Sequence, residues 1–197
     1  MKIGKAALAI VVAAAFAGTA AAQQPPSEGL FRAQNVYVGG TVGQSFYHDA
    51  CTIPNCDNRD AAFRALGGLQ LHRLLAVEVG YHNLGKIRAP GGTYIRSNAW
   101  EGLLVGNLPL SQRFGLYGKL GAYRGSQEGG GFFATEKLNN NGLTYGWGLQ
   151  LALTRNLSLR YEWQDYPKIG GGTVFPKGDI NVYSVGAIWR FQKGEEK

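Results

Sequence analysis

Polar and apolar residues alternate along most of the chain after residue 35, with the period of two that is typical of β-strands. The clearest run is 157–164, LSLRYEWQ, in which every second residue is leucine or aromatic. No comparable period of 3.6 residues appears beyond the N-terminal region, so helices are not expected there. The pattern therefore predicts an all-β fold.

Eight segments of about 10–12 residues carry this alternation, which is the length that a tilted strand needs to cross a bilayer. They are Val36–Tyr47, Ala61–Leu71, Leu75–Leu84, Asn98–Leu108, Phe114–Arg124, Leu143–Leu153, Leu157–Tyr166 and Ile180–Phe191. Short connections at 72–74, 109–113 and 154–156 alternate with long ones at 48–60, 85–97, 125–142 and 167–179. Short turns on one rim and long loops on the other predict an eight-stranded antiparallel up-and-down transmembrane β-barrel.

Side-chain volume indicates which face of these strands points outward. The apolar face carries about 30 large side chains, whereas the interior of an eight-stranded barrel holds only ordinary side chains or one small ligand. The other face is rich in glycine, which relieves crowding in a narrow lumen. We therefore expect the apolar face to contact lipid, and closure of the barrel to pair every backbone group.

Charged residues of both signs occupy the positions predicted to face the lumen. They are Arg64, Lys119, Arg160, Arg190, Glu78, Glu101 and Glu162. Isolated charges in a narrow lumen are costly, so these groups should pair, with Glu78 and Glu162 accepting from Arg160 and Lys119. Such a network either fills and stiffens the barrel or gates small ions, and we favour the first role.

The N-terminal region has the organisation of a cleaved signal peptide. Lys2 and Lys5 precede an apolar stretch at 6–16, and small residues end at Ala22, where cleavage is expected. The apolar stretch is too short for a transmembrane anchor. The predicted organisation is a signal peptide at 1–22, a short periplasmic leader at 23–35, an outer-membrane barrel at 36–193 and a tail at 194–197. The expected location is the outer membrane of a Gram-negative cell.

Cys51 and Cys56 are the two cysteines of the chain. An exported protein meets an oxidising compartment, so a disulfide that closes a small loop is the favoured interpretation. A redox or metal site is the alternative, although no second cysteine pair or histidine cluster accompanies them.

Charge points to membrane lipids as partners. Without Lys2 and Lys5, 18 Lys and Arg residues face 13 Asp and Glu residues, and their even spread does not favour nucleic acid. Outer-membrane lipids and lipopolysaccharide suit a basic surface better. Solvated loop charges are the alternative for the loop cations, which are Lys86, Arg88, Arg96, Arg124, Lys137, Lys168 and Lys177.

Several segments together resemble the OmpA-like transmembrane barrels, over nearly all of residues 36–193. They are Phe46-Tyr47-His48-Asp49, Glu78-Val79-Gly80-Tyr81-His82-Asn83-Leu84-Gly85, Leu108-Pro109-Leu110, Leu116-Tyr117-Gly118-Lys119-Leu120-Gly121, Leu159-Arg160-Tyr161-Glu162-Trp163-Gln164 and Ser184-Val185-Gly186-Ala187-Ile188-Trp189-Arg190-Phe191. The resemblance implies eight strands, surface-exposed loops and a polar, plugged interior. It places family interior charges at Glu78, Lys119, Arg160 and Glu162. At two further interior positions of the family, this chain has Val105 and Gln150.

The last predicted strand resembles the signal that the barrel-assembly machinery reads, with Tyr183, Trp189 and Phe191 as its aromatic residues. Family members that bind peptidoglycan do so through a separate periplasmic domain. The short stretch after Phe191 leaves no room for one, so tethering to the cell wall is not expected.

No catalytic arrangement is apparent in the sequence. The lipid A deacylase pattern of a histidine and a serine two apart on a strand is absent, and His48-Asp49 has no serine clearly placed beside it. We expect a monomeric, non-enzymatic protein without metal or cofactor that supports the membrane and displays surface loops. A small ion-permeable pore, a surface adhesin or receptor, and a lipid A-modifying enzyme remain as alternatives.

Overall fold

The computed structural model describes residues 35–48, 58–89, 93–130, 135–169 and 178–191. These residues form eight strands: β1 (Asn35–Tyr47), β2 (Arg59–His72), β3 (Leu75–Ala89), β4 (Thr93–Pro109), β5 (Phe114–Gly130), β6 (Thr135–Ala152), β7 (Leu157–Ile169) and β8 (Gly178–Phe191). Each strand pairs antiparallel with its sequence neighbours, and β1 pairs with β8 to close the barrel. The predicted all-β, eight-stranded, up-and-down barrel is confirmed. None of the described residues forms a helix that is long and apolar enough to cross a membrane.

The strands are longer than predicted at the rim that carries the long connections. The stretches predicted as loops at 85–97 and 125–142 are largely strand, because β3 to β6 extend through them. The sequence 137–142, KLNNNG, has Leu138 as its one large apolar residue, so it shows no alternation, although the β5–β6 ladder continues through Glu128↔Lys137. Outside the bilayer, neither face of a strand needs to be apolar. The two-residue pattern therefore marks only the length of each strand that crosses the bilayer.

Some predictions concern segments that the structure does not describe. The signal peptide at 1–22, the leader as far as residue 34, the cysteines Cys51 and Cys56, and everything after Phe191 lie outside the described residues.

The apolar face of the strands points away from the lumen, as the volume argument predicts. Val79, Trp100 and Leu143 are 67%, 66% and 66% exposed. Trp147 is also exposed, and it stands opposite Trp163 in the β6–β7 register, so both indoles lie on the outer face. A water-soluble barrel would bury such groups, whereas lipid tails solvate them.

The lumen is less polar than the sequence predicts, because many inward positions are aliphatic or tyrosine. Towards the long-connection rim lies an outer apolar layer, made of Tyr47, Ala62, Leu84, Ala99, Tyr123, Tyr166, Ile169, Ile180 and Val182. Towards the short turns lies an inner apolar layer, made of Tyr37, Leu66, Ala76, Leu103, Val105, Tyr117 and Ile188. Six buried charges, at Arg64, Glu78, Glu101, Lys119, Arg160 and Glu162, occupy the level between these two layers.

Glycines make room for the tyrosines of these layers. A Cβ atom on Gly68 would lie 2.2 Å from Tyr37 Cζ, and one on Gly148 would lie 2.4 Å from Tyr117 Oη. Real Cβ atoms do not approach other atoms so closely, so a larger residue at either glycine would displace the ring. The glycines of the inward face therefore determine which large side chains the lumen holds.

Candidate functional site

Six charged side chains meet in the middle of the lumen, and together they are called the luminal cluster. They are Arg64, Lys119, Arg160, Glu78, Glu101 and Glu162, and each is at most 2% exposed at its side chain. Three are cations and three are anions, so the cluster is neutral as a whole. Because charges removed from water are costly unless they are paired, this balance is what allows all six to be buried.

Arg64 contacts all three carboxylates of the luminal cluster. Its Nη2 lies 3.1 Å from Glu78 Oε2 and its Nη1 lies 3.3 Å from Glu162 Oε1. Its Nε bonds to Glu101 Oε1. A planar guanidinium presents five N–H donors in a fixed fork, so one side chain can hold three acceptors at once. Arg64 thus joins β2 to β3, β4 and β7 across the lumen.

Each carboxylate has a second donor besides Arg64. Arg160 Nη1 lies 2.6 Å from Glu78 Oε1, and Lys119 Nζ lies 3.0 Å from Glu162 Oε2. These are the two pairs named from the sequence. Glu101 Oε2 accepts instead from Gln164 Nε2 at 2.7 Å, a residue that sequence reasoning had not included.

The third donor to each carboxylate is a tyrosine hydroxyl from an apolar layer. Tyr37 Oη donates to Glu78 Oε1 at 2.9 Å, and Tyr117 Oη donates to Glu162 Oε2 at 2.9 Å. From the outer apolar layer, Tyr166 Oη donates to Glu101 Oε2 at 2.6 Å. Sequence reasoning missed these tyrosines. Their inward strand positions were the available signal, and Tyr37 and Tyr117 also face the glycines Gly68 and Gly148 on neighbouring strands.

The other residues singled out in the sequence lie apart from this centre. Arg190 is buried on the lumen side and its Nη1 donates to Ser158 Oγ at 2.5 Å. On the outer face of β8, the side chains of Tyr183, Trp189 and Phe191 are about half exposed, at 46%, 48% and 52%.

Two described histidines, His48 and His82, lie near the long-connection rim. Their hydrogen-bond partners in the described residues are not serines. His82 Nδ1 lies 2.7 Å from Tyr166 Oη, and His48 Nδ1 lies 3.2 Å from Asn181 Nδ2. Among the residues that the structure describes, no group of three or more His, Cys, Asp or Glu is placed to hold a metal ion.

Comparison with known proteins identifies relatives for nearly the whole chain. The family model for the OmpA-like transmembrane domain matches residues 32–195. Outer membrane protein A of Shigella flexneri is 29% identical over 203 residues, which cover 95% of this chain and 56% of the relative. The protein of the same name from Salmonella typhi is 30% identical over 203 residues, with the same coverage of 95% and 56%. The chain therefore spans about half the length of the curated relatives it matches.

Solved structures share the fold at lower identity. The crystal structure of Ail, the attachment invasion locus protein of Yersinia pestis, has a TM-score of 0.58 at 17% identity, covering 81% of this chain and 100% of Ail. Neisserial surface protein A has a TM-score of 0.64 at 15% identity, covering 79% of this chain and 97% of that protein. At these identities the likeness concerns the fold alone.

Proposed function

The chain belongs to the OmpA-like transmembrane family, and we propose that it acts as a closed, non-enzymatic barrel that stiffens the outer membrane and displays loops on its outer side. The single observation that carries this proposal is the filling of the lumen. A neutral cluster of buried charges lies between two apolar layers, and among the described residues this filling supports a barrel without a water-filled path along its axis.

The bonds within the luminal cluster favour a filling role over ion transport. Each glutamate is held by Arg64, by a second donor and by a tyrosine hydroxyl, so a passing ion would have to replace bonds that are already made. The apolar layers add a second barrier, because hydrophobic constrictions exclude water from a narrow passage. A small pore remains the alternative function.

Conductance across planar bilayers tests the proposal directly. We expect no steady current from the purified, folded barrel, and no change on Arg160→Ala or Glu78→Ala beyond what loss of folded protein explains. Heat-modifiable gel mobility on the same samples reports how much barrel is folded. A steady current that changes with Arg160→Ala in fully folded protein would establish the pore instead.

The length of the strands supports the display of loops. A strand such as β4, with 17 residues, spans roughly 43 Å along the axis at ~3.3 Å per residue and ~40° tilt, against an apolar band of about 25 Å. β4, β5 and β6 therefore continue beyond the bilayer as an ordered sheet. The strands end or begin there at Ala89, Thr93, Gly130 and Thr135, next to the connections 90–92 and 131–134 in the sequence. Surface proteolysis of intact cells should cut these connections, and their protection would contradict the assigned orientation.

Other parts of the proposal concern maturation and partners. We propose cleavage after Ala22, insertion by the barrel-assembly machinery through the strand that holds Tyr183, Trp189 and Phe191, and a monomer surrounded by outer-membrane lipids. An adhesin role would be established if exchanging the loops transferred binding to another barrel. A lipid A-modifying role would be established if overexpression altered lipid A.

A further inference from the structure

We propose that Lys86 and Arg96 form a site for a phosphate group carried by a lipid of the outer leaflet. This inference rests on the outer-membrane location and the orientation proposed above. The two residues lie near the outer ends of β3 and β4 and are direct cross-strand partners. Three observations support the site: a bulge that turns Lys86 outward, the placing of two cations opposite each other, and an aromatic pair below them.

A β-bulge determines the direction of Lys86. Along β3, His82 and Leu84 are buried in the lumen, so an uninterrupted two-residue period would turn Lys86 inward as well. Instead the register shifts between Asn83 and Lys86, and Gly85 adopts a positive φ of 85°. Bulges of this kind re-aim the side chains that follow them.

The contacts of Lys86 show that it reaches the outer face. Its Nζ lies 5.2 Å from the centroid of the Tyr94 ring, and Tyr94 is 40% exposed on the outer face of β4. The backbone holds this arrangement, because Lys86 N–H donates to Asp60 Oδ2 at 2.6 Å and Gly85 N–H donates to Asn83 Oδ1 at 3.0 Å.

The consequence is a pair of like charges on neighbouring strands. Directly opposed side chains have Cβ atoms about 5 Å apart, and like charges at such positions destabilise a sheet. Two acidic groups beside the pair already have partners: Glu128, opposite Arg96 on β5, pairs with Lys137 Nζ at 3.1 Å, and Asp60 Oδ2 accepts from the Lys86 backbone N–H. An anion between Lys86 and Arg96 would turn this repulsion into attraction.

The position of the pair indicates a lipid as the carrier of that anion. Four residues from Arg96 along β4, nearer the membrane, Trp100 stands opposite Tyr81 with ring centroids 5.1 Å apart, and Trp100 is 66% exposed. Exposed aromatics of this kind mark the interface between hydrocarbon and headgroups. The cations therefore lie at headgroup depth, and Arg124, opposite Trp100 on β5, flanks the same surface.

Binding of diphosphoryl lipid A to the barrel folded in maltoside micelles tests the site. The test variant is K86Q/R96Q, and the matched control is R73Q/R113Q, which removes two exposed cations from the short turns after β2 and β4, at the opposite rim. Each basic residue at a lipid surface is worth about fivefold in affinity, so we expect the test variant, which lacks two of them, to bind about 25-fold more weakly. The control variant should bind as the unaltered chain does.

The probes separate a lipid-borne phosphate from a free anion. We expect dephosphorylated lipid A to bind the unaltered chain weakly, and inorganic phosphate at the same concentration not to compete. Equal binding by K86Q/R96Q, equal loss in the control, tight binding of the dephosphorylated lipid, or full competition by inorganic phosphate would each overturn the inference. Heat-modifiable mobility of both variants shows whether the barrel is intact, so a failed lipid site is distinguishable from a failed barrel.

Discussion

Replacement of Arg64 by glutamine should be among the most damaging single changes in the lumen. The change removes one ion contact from each of three buried carboxylates and leaves two cations, Lys119 and Arg160, facing three anions. Hydrogen bonds to charged groups are worth about 1.5–3 kcal/mol each. Relaxation offsets part of that sum, and breaking a buried ion pair from one side costs about 3–5 kcal/mol. We therefore expect the free energy of unfolding to fall by about 3–5 kcal/mol.

A second substitution shows whether the loss of stability comes from charge imbalance or from the smaller volume of the glutamine side chain. In Arg64→Gln combined with Glu101→Gln, two cations face two anions, and the new amide at position 101 can still accept from Tyr166 Oη or Gln164 Nε2. The double variant should recover about 1–2 kcal/mol relative to the sum of the single changes, which is within the usual range of coupling between contacting residues.

Urea unfolding in lipid vesicles, followed by tryptophan emission, gives the free energy of unfolding of the unaltered chain, of each single variant and of the double variant. Heat-modifiable mobility provides an independent measure of the folded fraction. Charge balance does not hold the cluster together if Arg64→Gln lowers the free energy of unfolding by less than about 1 kcal/mol. The same conclusion follows if the double variant loses as much stability as the two single variants together.

Three further pairs of substitutions have expected outcomes. Gly121→Ala should cost about 1–3 kcal/mol, because its Cβ would lie 2.0 Å from Gly102 O, whereas Gly102→Ala, with nothing within 4 Å of its Cβ, should be neutral in the same unfolding assay. Leu120, which is 58% exposed on the outer face, should tolerate alanine, but Leu120→Arg should cost about 2–4 kcal/mol and reduce the heat-modifiable fraction. Thr154→Ala should cost about 1 kcal/mol in thermal unfolding, and Thr154→Ser almost nothing, because Thr154 Oγ1 accepts the N–H groups of Asn156 and Leu157 at 3.3 and 3.0 Å.

The sequence predicts the barrel well because lipid enforces its pattern. Where β7 crosses the apolar band, every outward residue must be apolar, and the run from Leu157 to Gln164 shows the alternation directly. Beyond the band this requirement ends. The outer parts of β5 and β6 are held by backbone pairing between polar residues, such as Glu128 and Lys137, and the pattern does not distinguish them from loops.

The arrangement of the luminal cluster could be predicted only in part. Alternation assigns Arg64, Glu78 and Glu162 to the inward face, but it does not determine which side chains meet across the lumen. Which side chains meet depends on the stagger between neighbouring strands, because the stagger determines the position of each residue along the barrel axis. Arg64 and Glu162 are 98 residues apart, and their contact follows from closure of the whole ring and not from local sequence.

The pairing of β1 with β8, which closes the barrel, has a consequence for folding during synthesis. It runs from Val36↔Phe191 to Tyr47↔Ile180, so the earliest strand to leave the ribosome is completed by the last one. Until then both strands expose a row of unsatisfied backbone groups, which invites pairing with any other extended chain. We therefore expect the unclosed chain to aggregate readily in water, and closure of the β1–β8 pairing to remove this risk.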